Sequence, residues 1–240
     1  MGKTGLECLR SYIDAQEDYT KKPGLNKHPY DQYFFRTLLG SVLASHGLIN
    51  DSNVSLIASM IVSPIGMLLL ISGHDIFALL SGITDSVSKK SSQNIKTRLT
   101  TFPIVALLIV STTVIVGYIY GFIYAKLTET KLPTKEIKSR SKPDGLVESF
   151  VIAVACAFAL PYGFENNEVS LIIGLGIAVA LLPPLVNIGV AYGAYHGDKE
   201  NYDTEIPVED TLKYSLSIFL INFVTLLIGL YFYIRSDCLK

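Results

Sequence analysis

From Val169 to Gly197 the chain carries no Asp, Glu, Lys or Arg, yet Pro183 and Pro184 stand side by side near the middle of that stretch. About 20 consecutive apolar residues let a helix cross the hydrocarbon core of a bilayer. Proline lacks an N–H, and its ring clashes with the carbonyl four residues back. The pair therefore releases the carbonyls of Val179 and Ala180. Away from water, such groups need a partner in protein or a water-lined cavity. Leu182, just before the pair, is expected to leave helical geometry. The run reads as a membrane helix broken at its centre.

Five more uncharged runs occupy residues 37–50, 52–73, 99–125, 149–164 and 214–234. Hydrophobic residues make up 50% of the chain and charged residues 17%, with mean hydropathy +0.40. That balance is too apolar for an ordinary soluble domain, and the charges collect between the runs as a polytopic membrane protein requires. The runs 37–50 and 149–164 are short. Tyr33, Phe34 and Phe35 can lengthen the first, and Leu146 and Val147 the second, with Arg36 and Glu148 near the interface. The first 30 residues alternate charge and polarity, so no cleavable signal peptide is expected. Residues 5–19 are expected to form a short amphipathic helix.

Each half of the chain reads as a short run, a proline-broken run and a full-length run. Pro64 marks the break in the first half. It lies 120 residues before Pro184, and Gly73 precedes Gly193 by the same offset. Val54-Ser55-Leu56-Ile57 recurs as Val169-Ser170-Leu171-Ile172. These matches point to duplication. Three spans per half is an odd number, so the second half enters from the opposite side, as in inverted-repeat transporters. The expected architecture is all-α: about six transmembrane helices in a 3+3 inverted repeat with two Pro-broken helices. Residues 1–32 form a soluble or amphipathic segment and 33–235 the membrane domain. Within that domain 33–125 is the first repeat, 126–145 a basic linker and 146–235 the second repeat; 236–240 is a tail.

Charge places the loops less simply. The loop 75–98 is basic and belongs inside, whereas the loop 198–213 is acidic and falls on the other face. Lys126, Lys131, Lys135, Lys138, Arg140 and Lys142 share that outer face, against the positive-inside tendency. The tethers outside the runs are expected to be solvated.

The stretch Gly174-Leu175-Gly176-Ile177-Ala178-Val179-Ala180-Leu181-Leu182-Pro183-Pro184-Leu185 resembles the G-x-x-I-A-x-A-L-x-P-P-L motif of the DUF389 family of uncharacterised hydrophobic membrane proteins. Gly47-Leu48, followed by the stretch from Asp51 to Pro64, is similar to that family's G-L…N-S-x-A-V-I-I-G-A-M-x-x-A-P signature. Arg140-Ser141-Lys142-Pro143 resembles its R-T-x-P before the fourth span, and Leu220-Ile221-Asn222-Phe223 its Asn-bearing last helix. The resemblance runs from Phe34 to Tyr233. The chain departs from the pattern at Asp51 (usually Asn), Ala58 (usually Gly), and Ser59 and Ser63 (usually Ala). These changes make the first break more polar. The resemblance implies a polytopic membrane fold and no settled activity.

No Asp, Glu, Lys or Arg lies within the runs, which argues against a carboxylate-driven pump. Hydroxyls, amides and carbonyls remain. The candidate substrate-binding set is Ser59, Met60, Ser63 and Pro64 from the first break, Val179, Ala180, Pro183, Pro184 and Asn187 from the second, and Asn222 from the last run. Met60, Val179 and Ala180 contribute the carbonyls that the prolines release. Ser55 and Tyr192 are further polar groups. The competing reading is that all of these groups only hold helices together. His74-Asp75 and His196-Gly197-Asp198 read as interfacial caps, and His46 as a structural histidine or a pH-sensitive gate.

Cys8, Cys156 and Cys238 are too scattered for a disulfide framework or a zinc site. A net charge of -1 gives nucleic-acid binding no electrostatic support. No nucleophile triad, phosphate loop or dinucleotide fingerprint is visible, so neither an enzyme nor a cofactor or metal is expected. The expected function is passage of a small solute or ion through an integral, multi-pass membrane protein in contact with lipid. The alternative is a non-transporting membrane scaffold or partner-binding protein that docks through its basic or acidic loop.

Overall fold

The computed structural model describes residues 29–66, 69, 73, 76, 89–128, 132–165, 169–200, 202 and 206–237. Among them the regular elements are helices: α1 Pro29–Ile49, α2 Asn53–Val62, α3 Lys89–Leu127, α4 Lys135–Ser139, α5 Pro143–Glu165, α6 Val169–Gly197 and α7 Val208–Asp237. Among the described residues the one extended pairing is an isolated bridge between Leu132 and Tyr202. The amphipathic helix expected over 5–19, His74, Asp75 and most of the loop 75–98 lie outside the described residues.

α1 and α5 are both longer than their uncharged runs, with Arg36 and Glu148 carried inside them. The turn from α1 to α2 needs a left-handed residue, and Asp51 takes φ 48° there. Asp and Asn adopt that region more readily than other side chains, so Asp in place of Asn costs little. Ser52 then caps α2, accepting from the N–H of Ser55 at 3.4 Å.

The two proline sites behave differently. α2 ends at Val62, Ser63 is extended (φ -65°, ψ 135°), and helix resumes at Ile65. The first expected break is therefore present. The second is not: α6 runs unbroken from Val169 to Gly197 with Pro183 and Pro184 inside it, and Leu182 stays helical. Neighbouring backbone packs closely along α6 beyond the pair. Gly189, Gly193 and Gly197 let it lie directly on Val114, Tyr118 and Phe122 of α3, and Gly117 and Gly121 return the contact to Val186 and Val190. A Cβ at Gly117 would sit 2.8 Å from the Val186 carbonyl oxygen. Small residues four apart on both helices allow backbones this close.

These contacts fix directions. α3 and α6 are parallel, because Val114, Tyr118 and Phe122 meet Gly189, Gly193 and Gly197 in ascending order. α1 runs the same way, with His46 opposite Tyr120 and Asn50 opposite Tyr124. α2 runs back along α1, since Gly47 meets Leu56 and Gly40 meets Ser63. α7 is antiparallel to α6: Asn187 meets Ser215, while Leu181 and Leu185 share a cavity with Phe219 and Phe223. α5 follows α7, with its N-terminal elbow at Ser215 and Ala157 against Gly229.

Two helical stretches are long and apolar enough to cross a membrane, Pro103–Leu127 and Val208–Phe232. Both are largely uncovered by protein. On the second, Leu212, Leu216, Leu220, Val224, Ile228 and Phe232 form an exposed stripe at every fourth residue. A contiguous exposed apolar stripe of that length marks a surface that lipid or another protein covers.

Candidate functional site

The segment between α3 and α5 was expected to be a solvated tether, but it folds into the bundle. Thr134 caps α4 and donates its hydroxyl to the Leu48 carbonyl at 2.6 Å. The N–H of Glu136 donates to Asp51 Oδ1 at 2.9 Å. Ile137 is fully buried and Ser141 nearly so. Burying Ile137 gives this charged segment a reason to leave water. Gly145 closes the elbow onto α5, where a Cβ would overlap the Ser139 carbonyl.

At the elbow the backbone carbonyls are met by side chains. Ser141 Oγ donates to Ile137 O at 2.8 Å, and Ser215 Oγ donates to Arg140 O at 3.1 Å. Each serine proton is thus committed, leaving oxygen lone pairs. Asn187 Nδ2 donates to Ser215 Oγ at 3.0 Å and lies 3.4 Å from both Ser141 Oγ and Ile137 O. This arrangement sets the amide orientation. Its Oδ1 is left buried without a hydrogen-bond partner among the described residues. Asn187 lies ten residues before the end of α6, so the elbow reaches about 15 Å in from that end.

Beside the elbow opens a cleft of about 370 Å³, lined by Asn53, Lys135, Glu136, Arg140, Glu148 and Pro184 among others. Arg140 is paired with Glu136 one turn back. Lys135 and Glu148 line the cleft with no ion-pair partner among the described residues. A second, more open cavity of about 470 Å³ adjoins it and shares Lys135, Ser139, Gly145 and Glu148. On another side of α6, Leu181 and Leu185 close an apolar space of about 50 Å³ with Ile65, Leu69, Phe219 and Phe223. The two proline-bearing segments therefore do approach one another, through leucines and an isoleucine.

The sequence candidates fall into separate places. Ser59 is fully buried and donates to Leu56 O at 2.6 Å. Ser63 donates its N–H to Ser59 O and accepts from Ile65 N–H at 3.3 Å. Met60 and Pro64 are buried beside them. Arg36 Nε caps the end of α2 by donating to Val62 O at 3.0 Å. Val179 and Ala180 have helical backbone, and their side chains lie outside the described residues. Pro183 is buried and Pro184 reaches the cleft. Asn187 joins the elbow. Asn222 is buried in α7. Ser55 shares a hydroxyl contact with Ser52 at 3.2 Å.

His46 Nδ1 lies 3.0 Å from Tyr120 OH and His196 Nδ1 3.1 Å from Tyr118 OH. Both histidines thus dock on one tyrosine-rich turn of α3, at the ends of α1 and α6. Sequence reasoning missed Ser215 as the partner of Asn187, and Lys135 and Glu148 as walls of a cleft shared with Pro184. The only signal was the Arg140–Pro143 motif, which marks the elbow without saying what it touches.

A family model described as "Domain of unknown function (DUF389)" matches residues 60–228. An uncharacterised protein of Methanocaldococcus jannaschii is 30% identical over 189 residues, covering 79% of this chain and 49% of that one. The chain thus spans about half the length of that relative. No solved structure matches.

Proposed function

We propose, for a chain that belongs to the DUF389 family, a multi-pass membrane protein that passes a small solute or ion through the cleft beside Pro184. One observation carries this reading. A cleft with Lys135, Glu136, Arg140 and Glu148 on its walls reaches Pro184, about 20 Å from the end of α6. The same bundle presents bare apolar stripes outward. Polar groups at that depth are costly unless water or a solute meets them. The carboxylate missing from the uncharged runs is supplied by Glu148, which the sequence placed near an interface.

The helix directions support the six-span inverted repeat as part of the same proposal. α1, α2 and α3 run forth, back and forth; α5, α6 and α7 run back, forth and back. In both halves the middle segment carries the proline, Pro64 just past α2 and Pro183 and Pro184 within α6, as paired-repeat transporters do near their sites. The proposed role is passage through the cleft, without an enzymatic step.

The test is flux in proteoliposomes, with sodium, potassium, chloride and a panel of labelled small polar solutes as probes. We expect a flux that Pro184→Ala and Glu148→Gln each change by about tenfold, since either alters the cleft wall. Flux identical in both variants removes the cleft from the pathway. Absence of flux with every probe, together with loss of a captured partner on deleting residues 198–207, supports the docking alternative instead.

A further inference from the structure

Serine and threonine hydroxyls inside these helices usually bond the carbonyl one turn back. Thr37, Ser45, Thr128, Ser217 and Thr225 all do so, at 2.6 to 2.8 Å. Ser41 and Thr113 do not. Both are fully buried, and neither hydroxyl has a hydrogen-bond partner among the described residues. Asn187 Oδ1 is in the same condition. An unmet buried polar group costs about 1–3 kcal/mol, so three of them need an explanation.

The helix register brings them to one level. The pairs His46–Tyr120 and Asn50–Tyr124 share an offset of 74 residues, which sets Ser41 beside residue 115 of α3. Gly117 against Val186, and Gly189 against Val114, set that part of α3 beside residues 186–189 of α6. Ser41, Thr113 and Asn187 therefore lie within about one helical turn of a common level. Their helices α1, α3 and α6 are mutually parallel and all three pack against one another. Met60 belongs to nearly the same level, because Gly40 meets the Ser59 carbonyl and Ser63. Pro64 has no N–H to offer the Met60 carbonyl.

The chemistry left over is acceptor chemistry. Asn187 has committed its amide donors to the elbow and retains only an oxygen. Hydroxyl and carbonyl oxygens are hard, neutral donors suited to alkali cations. Divalent ions want carboxylates, and transition metals want imidazole or thiolate. Among the described residues no cluster of Asp, Glu, His or Cys could hold such a metal. We propose that Ser41 Oγ, Thr113 Oγ1 and Asn187 Oδ1 form a binding site for a monovalent alkali cation in the core of the bundle, with the Met60 carbonyl as a fourth oxygen.

The site is testable whether or not the protein moves a solute. The full chain, purified in detergent, is unfolded by heat in sodium, potassium, lithium or choline chloride at equal ionic strength. We expect one alkali cation to raise the unfolding temperature over choline, saturably with concentration. The near-isosteric Thr113→Val and Ser41→Ala are each expected to weaken the apparent affinity by about tenfold, equivalent to about 1.4 kcal/mol. In choline, Thr113→Val is expected to be at least as stable as the parent, because it removes an unmet hydroxyl. Equal unfolding temperatures in all four salts mean that the oxygens hold water only, and overturn the proposal. So does a cation effect that persists undiminished in both variants. If one variant fails to fold, the other decides alone.

Discussion

Ser215 and Ser141 carry more of the architecture than their size suggests. Each spends its one proton on a backbone carbonyl of the elbow and presents its oxygen to Asn187. Replacing Ser215 with Ala leaves Arg140 O without its donor and removes the nearest acceptor of Asn187. We expect Ser215→Ala to lose about 1–3 kcal/mol, measured as a lower midpoint in thermal or denaturant unfolding. Ser217→Ala is the control. Ser217 bonds only its own helix at Lys213 O, and its loss should stay within about 0.5 kcal/mol. Gly145 is constrained by sterics instead. A methyl group there meets the Ser139 carbonyl, so Gly145→Ala should force α4 away from α5 and cost about 1–3 kcal/mol. Faster protease cleavage between α4 and α5 would report the separation.

The proline-bearing helices show that one residue type has two outcomes. At Pro64 the chain leaves helical geometry, Ser63 turns extended and Arg36 caps the exposed end. At Pro183 and Pro184 the helix continues, because its glycines are pressed onto the α3 backbone. If α6 is already continuous through the pair, Pro183→Ala should leave the helical circular dichroism unchanged. Gly189→Ala should be damaging, since its methyl group overlaps the Val114 carbonyl. We expect that substitution to cost about 1–3 kcal/mol in thermal unfolding. An increase in helicity with Pro183→Ala would mean that α6 is broken at the pair after all.

For the molecule as a whole, parallel α3 and α6 put the ends of both helices on one face. The basic segment after Leu127 and the acidic segment after Gly197 therefore meet there, joined by the bridge between Leu132 and Tyr202. Opposite charges brought close in this way hold down the net field that either segment would make alone. Single cysteines at Lys126 and Lys199, in a background lacking Cys8, Cys156 and Cys238, should react with a membrane-impermeant maleimide from the same side of sealed vesicles. A cysteine at Glu165, the last residue of α5, should react from the opposite side. Labelling of the first two from opposite sides contradicts the parallel pair.

The alternation of uncharged runs with charged loops was sufficient to foretell a helical bundle with outward apolar faces. Helix length and apolarity are properties of contiguous residues, legible without knowing any neighbour. The family motif and the first proline break were equally local, since Ser63 is pushed off helix by the residue that follows it. The candidate site was less accessible. Whether a proline interrupts a helix depends on the backbone packed against it, and for α6 that backbone is more than sixty residues away in α3. The charged elbow read as a tether because charge predicts solvation, whereas Ile137, Ser141 and Asn187 bury it through contacts from distant segments. Composition and local pattern thus set the class of fold. Which carbonyls are met, which oxygens are left over and where Glu148 stands were settled by the packing of one helix on another.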